Sequence, residues 1–196
     1  MSELPYTERV NPLCRELDGA LDATTFLRTL RAADSQIYTG FEGQPGTLDS
    51  RCVQTLQKLV KRCGQLLSED DGLVVLSGCG TSGRIAYLLA TRYNALTGGS
   101  SRYDYCMAGG DSAILLSDEL PEDDPCAGAS DLKDCIVRHN ANGANTMVVG
   151  ITCGLSAPYV AGQMAMAHYD GFGGAVILGF NPVALARPIK LKNGIM

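Results

Sequence analysis

The spacing of apolar residues along this chain changes once, and the change divides it. From Asp22 onward, Ala23, Phe26, Leu27, Leu30, Ala33 and Ile37 recur at three- and four-residue intervals, which predicts an amphipathic helix capped by Asp22. The segment Thr39 to Gly46, with Gly40, Gly43, Pro45 and Gly46, ends it. A second helical stripe follows in Val53, Leu56, Leu59, Val60, Cys63, Leu66 and Leu67, with Arg51, Lys58, Lys61 and Arg62 off it or at its edge. Beyond Gly72 the period gives way to a short continuous apolar run at Leu73–Ser77 and to further strand candidates at Tyr103–Met107, Thr146–Ile151 and Ala175–Phe180. A continuous run of this kind suits a strand buried on both faces. Helices are expected between them, from about Arg84 to Leu96, around Ala127 to Arg138, and from near Ala157 and Pro158, where proline fits a first turn. Four strands alternating with helices predict an α/β fold, a three-layer, doubly wound parallel sheet with flavodoxin-like strand order 2-1-3-4-5 behind N-terminal helices. The expected division is a helical segment over residues 1–46 and the α/β domain over 47–196. Residues 1–11 read as a loose terminus, and Leu191 to Met196 carries no strand or helix pattern.

Composition narrows the class. The chain has 196 residues, enough to bury a core without staples, and 45% of them are hydrophobic. Net charge is −5 with no Lys/Arg-rich stripe, which argues against a nucleic-acid partner. No apolar run approaches the roughly 20 residues of a membrane span, and Met1 to Val10 is too polar for a signal peptide. The closest two of the eight cysteines are nine residues apart, so no CxxC or zinc-type spacing exists, and no metal site is expected. The thiols read as reduced, mostly buried side chains of an intracellular protein.

Candidate chemistry gathers at two strand-to-helix turns. Gly78-Cys79-Gly80-Thr81-Ser82-Gly83 follows the first strand. Its glycines permit close backbone approach, and the helix behind it turns free N–H groups and a positive dipole end toward the loop, an anion site. The run matches GxGxxG, but Asp104 lies inside the second strand and Asp111 comes late for a ribose-binding acid. It also approaches GxxxxGK[ST], with Arg84 in place of the lysine and Ile85 in place of the magnesium-binding hydroxyl. Adjacent hydroxyls without a magnesium ligand suit a compact phosphate monoester better than either nucleotide. Thr152-Cys153-Gly154-Leu155-Ser156 follows the third strand in the same way. In the 2-1-3 order those two strands are neighbours, so both loops should face one crevice. Ser156 can also serve as a helix cap. Glu122, in an acidic loop before the next helix, reads either as a solvated side chain beside a capping Asp123 or Asp124, or as a carboxylate for sugar hydroxyls or a proton. His139 and His168 stand at helix ends, where dipole compensation accounts for them.

The glycine turn Leu76–Arg84, Ala108-Gly109-Gly110-Asp111, Glu122–Pro125, Gly150–Met164 and Gly179–Val183 together resemble the sugar-isomerase (SIS) domain superfamily. Within it they resemble the branch of N-acetylmuramic acid 6-phosphate etherases and glucokinase regulatory proteins, over about residues 11 to 187. The resemblance implies a sugar phosphate site formed by Cys79 through its backbone, Gly80, Thr81 and Ser82, by Thr152, Gly154 and Ser156, and by Glu122. Thr152 stands where serine is more usual in the family. Etherases carry Asp-Ala-Ser-Glu in the helix after the first loop, its glutamate an acid/base, whereas this chain has Leu89-Ala90-Thr91-Arg92. An arginine does not deprotonate usefully. The resemblance therefore implies a phosphosugar-binding regulator rather than an enzyme. Fructose 6-phosphate or fructose 1-phosphate would be its ligand and glucokinase its partner, with no cofactor, in cytoplasm and nucleus; the alternative is an etherase-type lyase or sugar phosphate isomerase. Regulators of this kind carry two SIS domains and a helical lid. The chain is expected to be a truncated form whose missing fifth strand leaves an apolar seam prone to self-association.

Overall fold

The computed structural model describes residues 4–15, 17, 19, 22–116, 120–191 and 194–195. These form two compact units, residues 1–61 and 62–196. In the first, helix α1 spans Ala23–Thr39, and the Asp22 carboxylate accepts from the backbone N–H groups of Thr24 and Thr25 as its cap. Helix α2, Ser50–Leu67, runs on into the second unit. Phe26, Leu27 and Ile37 of the expected α1 stripe remain exposed.

The second unit is the α/β domain. Strands β1 (Leu73–Gly78), β2 (Tyr103–Met107), β3 (Thr146–Ile151) and β4 (Gly174–Leu178) form one sheet in the order β2-β1-β3-β4, every pair parallel. Helix α3 (Gly80–Leu96) follows β1, α4 (Pro125–Arg138) precedes β3, and α5 (Pro158–Tyr169) precedes β4. Leu73, Val75, Cys106 and Val148 pack with Leu132 and Cys135 of α4 and with Tyr159, Val160 and Met164 of α5 in one buried cluster. Burying a Leu or Val side chain of this kind contributes about 1.5–3 kcal/mol. The alternate residue Val74 is also buried, as are Ala86 and Ala90 of α3. A strand apolar on both faces is what the continuous runs in the sequence require.

Three boundaries differ from expectation. Helix α3 begins at Gly80, not near Arg84, so Thr81 and Ser82 sit in its first turn rather than in a loop. Gly80 adopts φ +50°, a conformation open to glycine, and the turn closes without spending further residues. Strand β4 ends at Leu178, because the Phe180 N–H leaves the sheet to donate to Cys153 O. Short antiparallel strands β5 (Lys190–Leu191) and β6 (Gly194–Ile195) occupy the tail, where no pattern was visible. Along β4 only Ala175 is exposed, whereas the outer side of α3 exposes Ile85, Leu88, Leu89 and Leu96. Just beyond β4, Phe180 and Val183 are exposed as well.

Candidate functional site

Close packing at glycines brings the two turns together. A methyl group on Gly78 would stand 2.7 Å from the Ser82 carbonyl carbon, and one on Gly83 2.6 Å from Met107 Cγ. Glycine at both positions lets α3 leave β1 abruptly, so its N-terminus lies at the carboxyl end of the sheet. Cys79 precedes the helix as its N-cap residue, in extended conformation and with no side-chain cap. The Cys79 thiol is pushed up to about 12 by burial, and further by the charges of Glu122 and Asp123. It therefore stays protonated at neutral pH, so Cys79 places no negative charge against an anion and the backbone of the turn is its stronger donor.

The second turn is held by β4 and the segment after it. Thr152 N–H donates to Leu178 O at 2.9 Å, and the buried Asn181 side chain donates to Gly154 O at 3.1 Å. Leu155 takes φ +57°, and its N–H closes the turn on Thr152 O. Helix α5 then starts at Pro158 with Ala157 as N-cap and no side-chain cap bond. Ser156 is therefore not the cap that its position suggested. Instead, Ser156 lines the cleft.

A third segment completes one wall. Leu120–Asp123 forms a single 3-10 turn, and Asp124 caps α4 by accepting from Cys126 and Ala127 N–H. Capping by Asp124 leaves Glu122 and Asp123 to face the cleft. A methyl on Gly80 would lie 3.2 Å from Glu122 Oε1, so this carboxylate sits directly against the glycine turn.

The resulting cleft has a volume of about 280 Å³. Of the eight residues expected from sequence, Cys79, Ser82, Glu122, Thr152, Gly154 and Ser156 line it together. Gly80 lies behind, beside Glu122, and Thr81 is exposed on the first turn of α3 outside the lining. Asp123, Cys153 and Arg187 also line it and were not foreseen. Arg187 follows β4 by nine residues in a segment without periodicity, so no pattern pointed to it. Its guanidinium brings positive charge to a wall that otherwise holds two carboxylates. The ends of α3 and α5 offer free N–H groups and partial positive charge, and the hydroxyls of Ser82, Thr152 and Ser156 add donors. Carboxylates opposite such donors can accept hydrogen bonds from hydroxyl groups. The arrangement fits a ligand with a phosphate at one end and hydroxyls at the other.

Arg92 lies about 18 Å along the α3 axis from Gly80 at 1.5 Å per residue, and it is exposed. Arg92 is not among the residues that line the cleft.

Comparison with known proteins identifies the family. The chain is 41% identical to the glucokinase regulatory protein of Xenopus laevis and 39% identical to that of Homo sapiens, each over 97% of this chain and 31% of the relative. It is 33% identical to the N-acetylmuramic acid 6-phosphate etherase of Pseudothermotoga lettingae, over 95% of this chain and 58% of that protein. The chain thus spans about a third of the length of its regulatory relatives. The family model of the glucokinase regulatory protein N-terminal SIS domain matches residues 55–168, more than half of the sequence and most of the sheet described above, and the chain belongs to that family.

Proposed function

We propose that the cleft binds a ketose phosphate, fructose 6-phosphate or fructose 1-phosphate, and that the chain serves a regulator of glucokinase rather than an enzyme. The observation that carries this reading is the convergence of Ser82, Thr152, Ser156 and Glu122 on one cleft of about 280 Å³. That volume lies just below the range of about 300 to 1,000 Å³ typical of ligand clefts, and suits a single sugar phosphate better than a dinucleotide. The phosphate takes the hydroxyls and N–H groups at the α3 and α5 ends together with Arg187, and Glu122 accepts from a sugar hydroxyl. Glucokinase as partner rests on the likeness to the regulatory proteins, which reach 41% identity. Isothermal titration calorimetry with fructose 6-phosphate, fructose 1-phosphate and NAD tests the ligand class: saturable binding of a fructose phosphate and none of NAD is expected. Ser82→Ala removes a hydrogen bond to a charged group, worth about 1.5–3 kcal/mol, and should weaken binding about tenfold or more. Unchanged affinity would place the ligand elsewhere.

A second reading, an etherase-type lyase, is favoured by the Glu122 carboxylate in the cleft and by the etherase relatives. It requires lactate release from N-acetylmuramic acid 6-phosphate that Glu122→Gln abolishes. Such turnover would replace the regulatory reading.

A further inference from the structure

Away from the cleft, strand β2 and helix α4 bring three metal-ligating side chains to one point. Asp104 projects from β2 on the side that faces α4, while Cys135 and His139 lie four residues apart, on one face of α4 and its C-cap. The Cys135 thiol donates to Asp104 Oδ2 at 3.2 Å, and His139 Nε2 lies 2.7 Å from the same oxygen. All three donor atoms fall within 4.8 Å of one another. Cys135 is buried, and Asp104 and His139 are half-buried.

We propose that Asp104, Cys135 and His139 form a binding site for a thiophilic divalent cation, with zinc the ion the donor set fits. Thiolate, imidazole and carboxylate are the three donor types zinc takes, at about 2.3, 2.0–2.1 and 2.0–2.2 Å. Tetrahedral donors at those lengths stand roughly 3.3–3.7 Å apart. The Cys135–Asp104 distance is already close to that, and the Asp104–His139 pair must open by no more than about 1 Å. Binding releases the Cys135 thiol proton to solvent, and His139 ligates through an unprotonated Nε2 with its remaining proton on Nδ1. One thiolate and one carboxylate balance the charge of the ion, so the half-buried site becomes neutral.

The fourth position falls to water on the side now held by Arg138. The Arg138 guanidinium donates to Asp104 Oδ2 at 2.7 Å, and its side chain is 60% exposed. Arginine is thus a stand-in cation that the metal displaces, and its long exposed side chain can swing into solvent without disturbing the core. Neither CxxC nor HxxxH spacing marks this cluster: Cys135 and His139 stand four residues apart, and the fold brings the third donor, Asp104, from 31 residues away.

The test is titration of the reduced chain with Co(II), read by the thiolate-to-cobalt charge-transfer absorbance. One equivalent should develop the band in the wild type and in Cys126→Ser, and the band should be lost in Cys135→Ser and His139→Ala. Arg138→Ala supplies a check that does not depend on a buried substitution. It removes the competing cation, so Co(II) affinity should rise, whereas a cluster that is only an ion-pair network gains no metal affinity. No band in the wild type, a band that survives Cys135→Ser, or affinity unchanged or reduced by Arg138→Ala would each overturn the proposal.

Discussion

Adding a single methyl group at Gly128 should destabilise the protein, although the same change elsewhere on its helices should stabilise it. Gly128 and Gly162 mark the points where α4 and α5 cross. A Cβ on Gly128 would overlap the Tyr159 carbonyl, and one on Gly162 the Pro125 carbonyl. Both obstacles are backbone, so neither can turn aside as a flexible side chain would. Forcing extra volume into such a contact costs about 1–3 kcal/mol, and more where backbone must move. Alanine returns only about 0.5–1 kcal/mol in helix propensity. A net loss of about 2 kcal/mol follows for Gly128→Ala, a fall in Tm of about 4–8 °C for a protein of this size. Gly64 is the internal control, since it sits within α2 with nothing within 4 Å of its would-be Cβ. Gly64→Ala should raise Tm by about 1–4 °C. The crossing lies in the N-terminal turns of both helices, the ends that present Glu122 and Ser156 to the cleft, so Gly128→Ala should also weaken fructose 6-phosphate binding. Differential scanning calorimetry decides the matter. A Gly128→Ala variant melting at or above wild type would refute the packing argument, and with it the reason the cleft walls meet.

Other consequences can be measured separately. The Tyr159 hydroxyl, on a fully buried ring, donates to Asp131 Oδ2 at 2.6 Å; Tyr159→Phe should cost about 1.5–3 kcal/mol by urea denaturation. Burial alone would raise the Asp104 carboxyl, but hydrogen bonds from Arg138, the Tyr105 N–H, Cys135 and His139 outweigh it and hold the group below its ordinary value. Its stabilising contribution is therefore present above the unfolded carboxyl value of about 3.9 and is lost as pH falls through the lower folded value. Asp104→Asn should flatten that part of the acid limb of a stability–pH profile. Cys126 and Cys153 are exposed, while Cys79 is half-buried and pushed up to about 12. Iodoacetamide at pH 8, followed by peptide mass spectrometry, should label Cys126 and Cys153 before Cys79. A bound sugar phosphate should then protect Cys153, which lines the cleft, and not Cys126.

Strand positions were most legible where a strand buried on both faces has to be apolar throughout, as in β1 and β3. Tyr103–Met107 and Thr146–Ile151 appear with the expected bounds. The start of α3 was not legible: glycines signal a turn, and only the backbone at Gly80, with φ +50°, shows that the turn is complete in one residue. Ser156 carried the side chain of a cap, but Pro158 fixed the helix start one residue too late for it, and Ala157 took the position. Ser82, Thr152 and Ser156 could be grouped because hydroxyls after neighbouring parallel strands must share an end of the sheet. Arg187 could not, since it follows β4 in irregular chain. Nor could the meeting of Asp104 with His139, because side-chain pairing between a strand and a helix leaves no periodic trace. His139 does stand at the end of α4, as dipole compensation required, and it also contacts a carboxylate.

Whether both hydroxyl turns grip one ligand is open to direct observation. In a titration of ¹⁵N-labelled protein with fructose 6-phosphate, the amide resonances of residues 80–83 and 152–156 should shift together and fit a single Kd. Shifts confined to one turn, or resonances of the two turns titrating with different Kd values, would contradict a shared cleft.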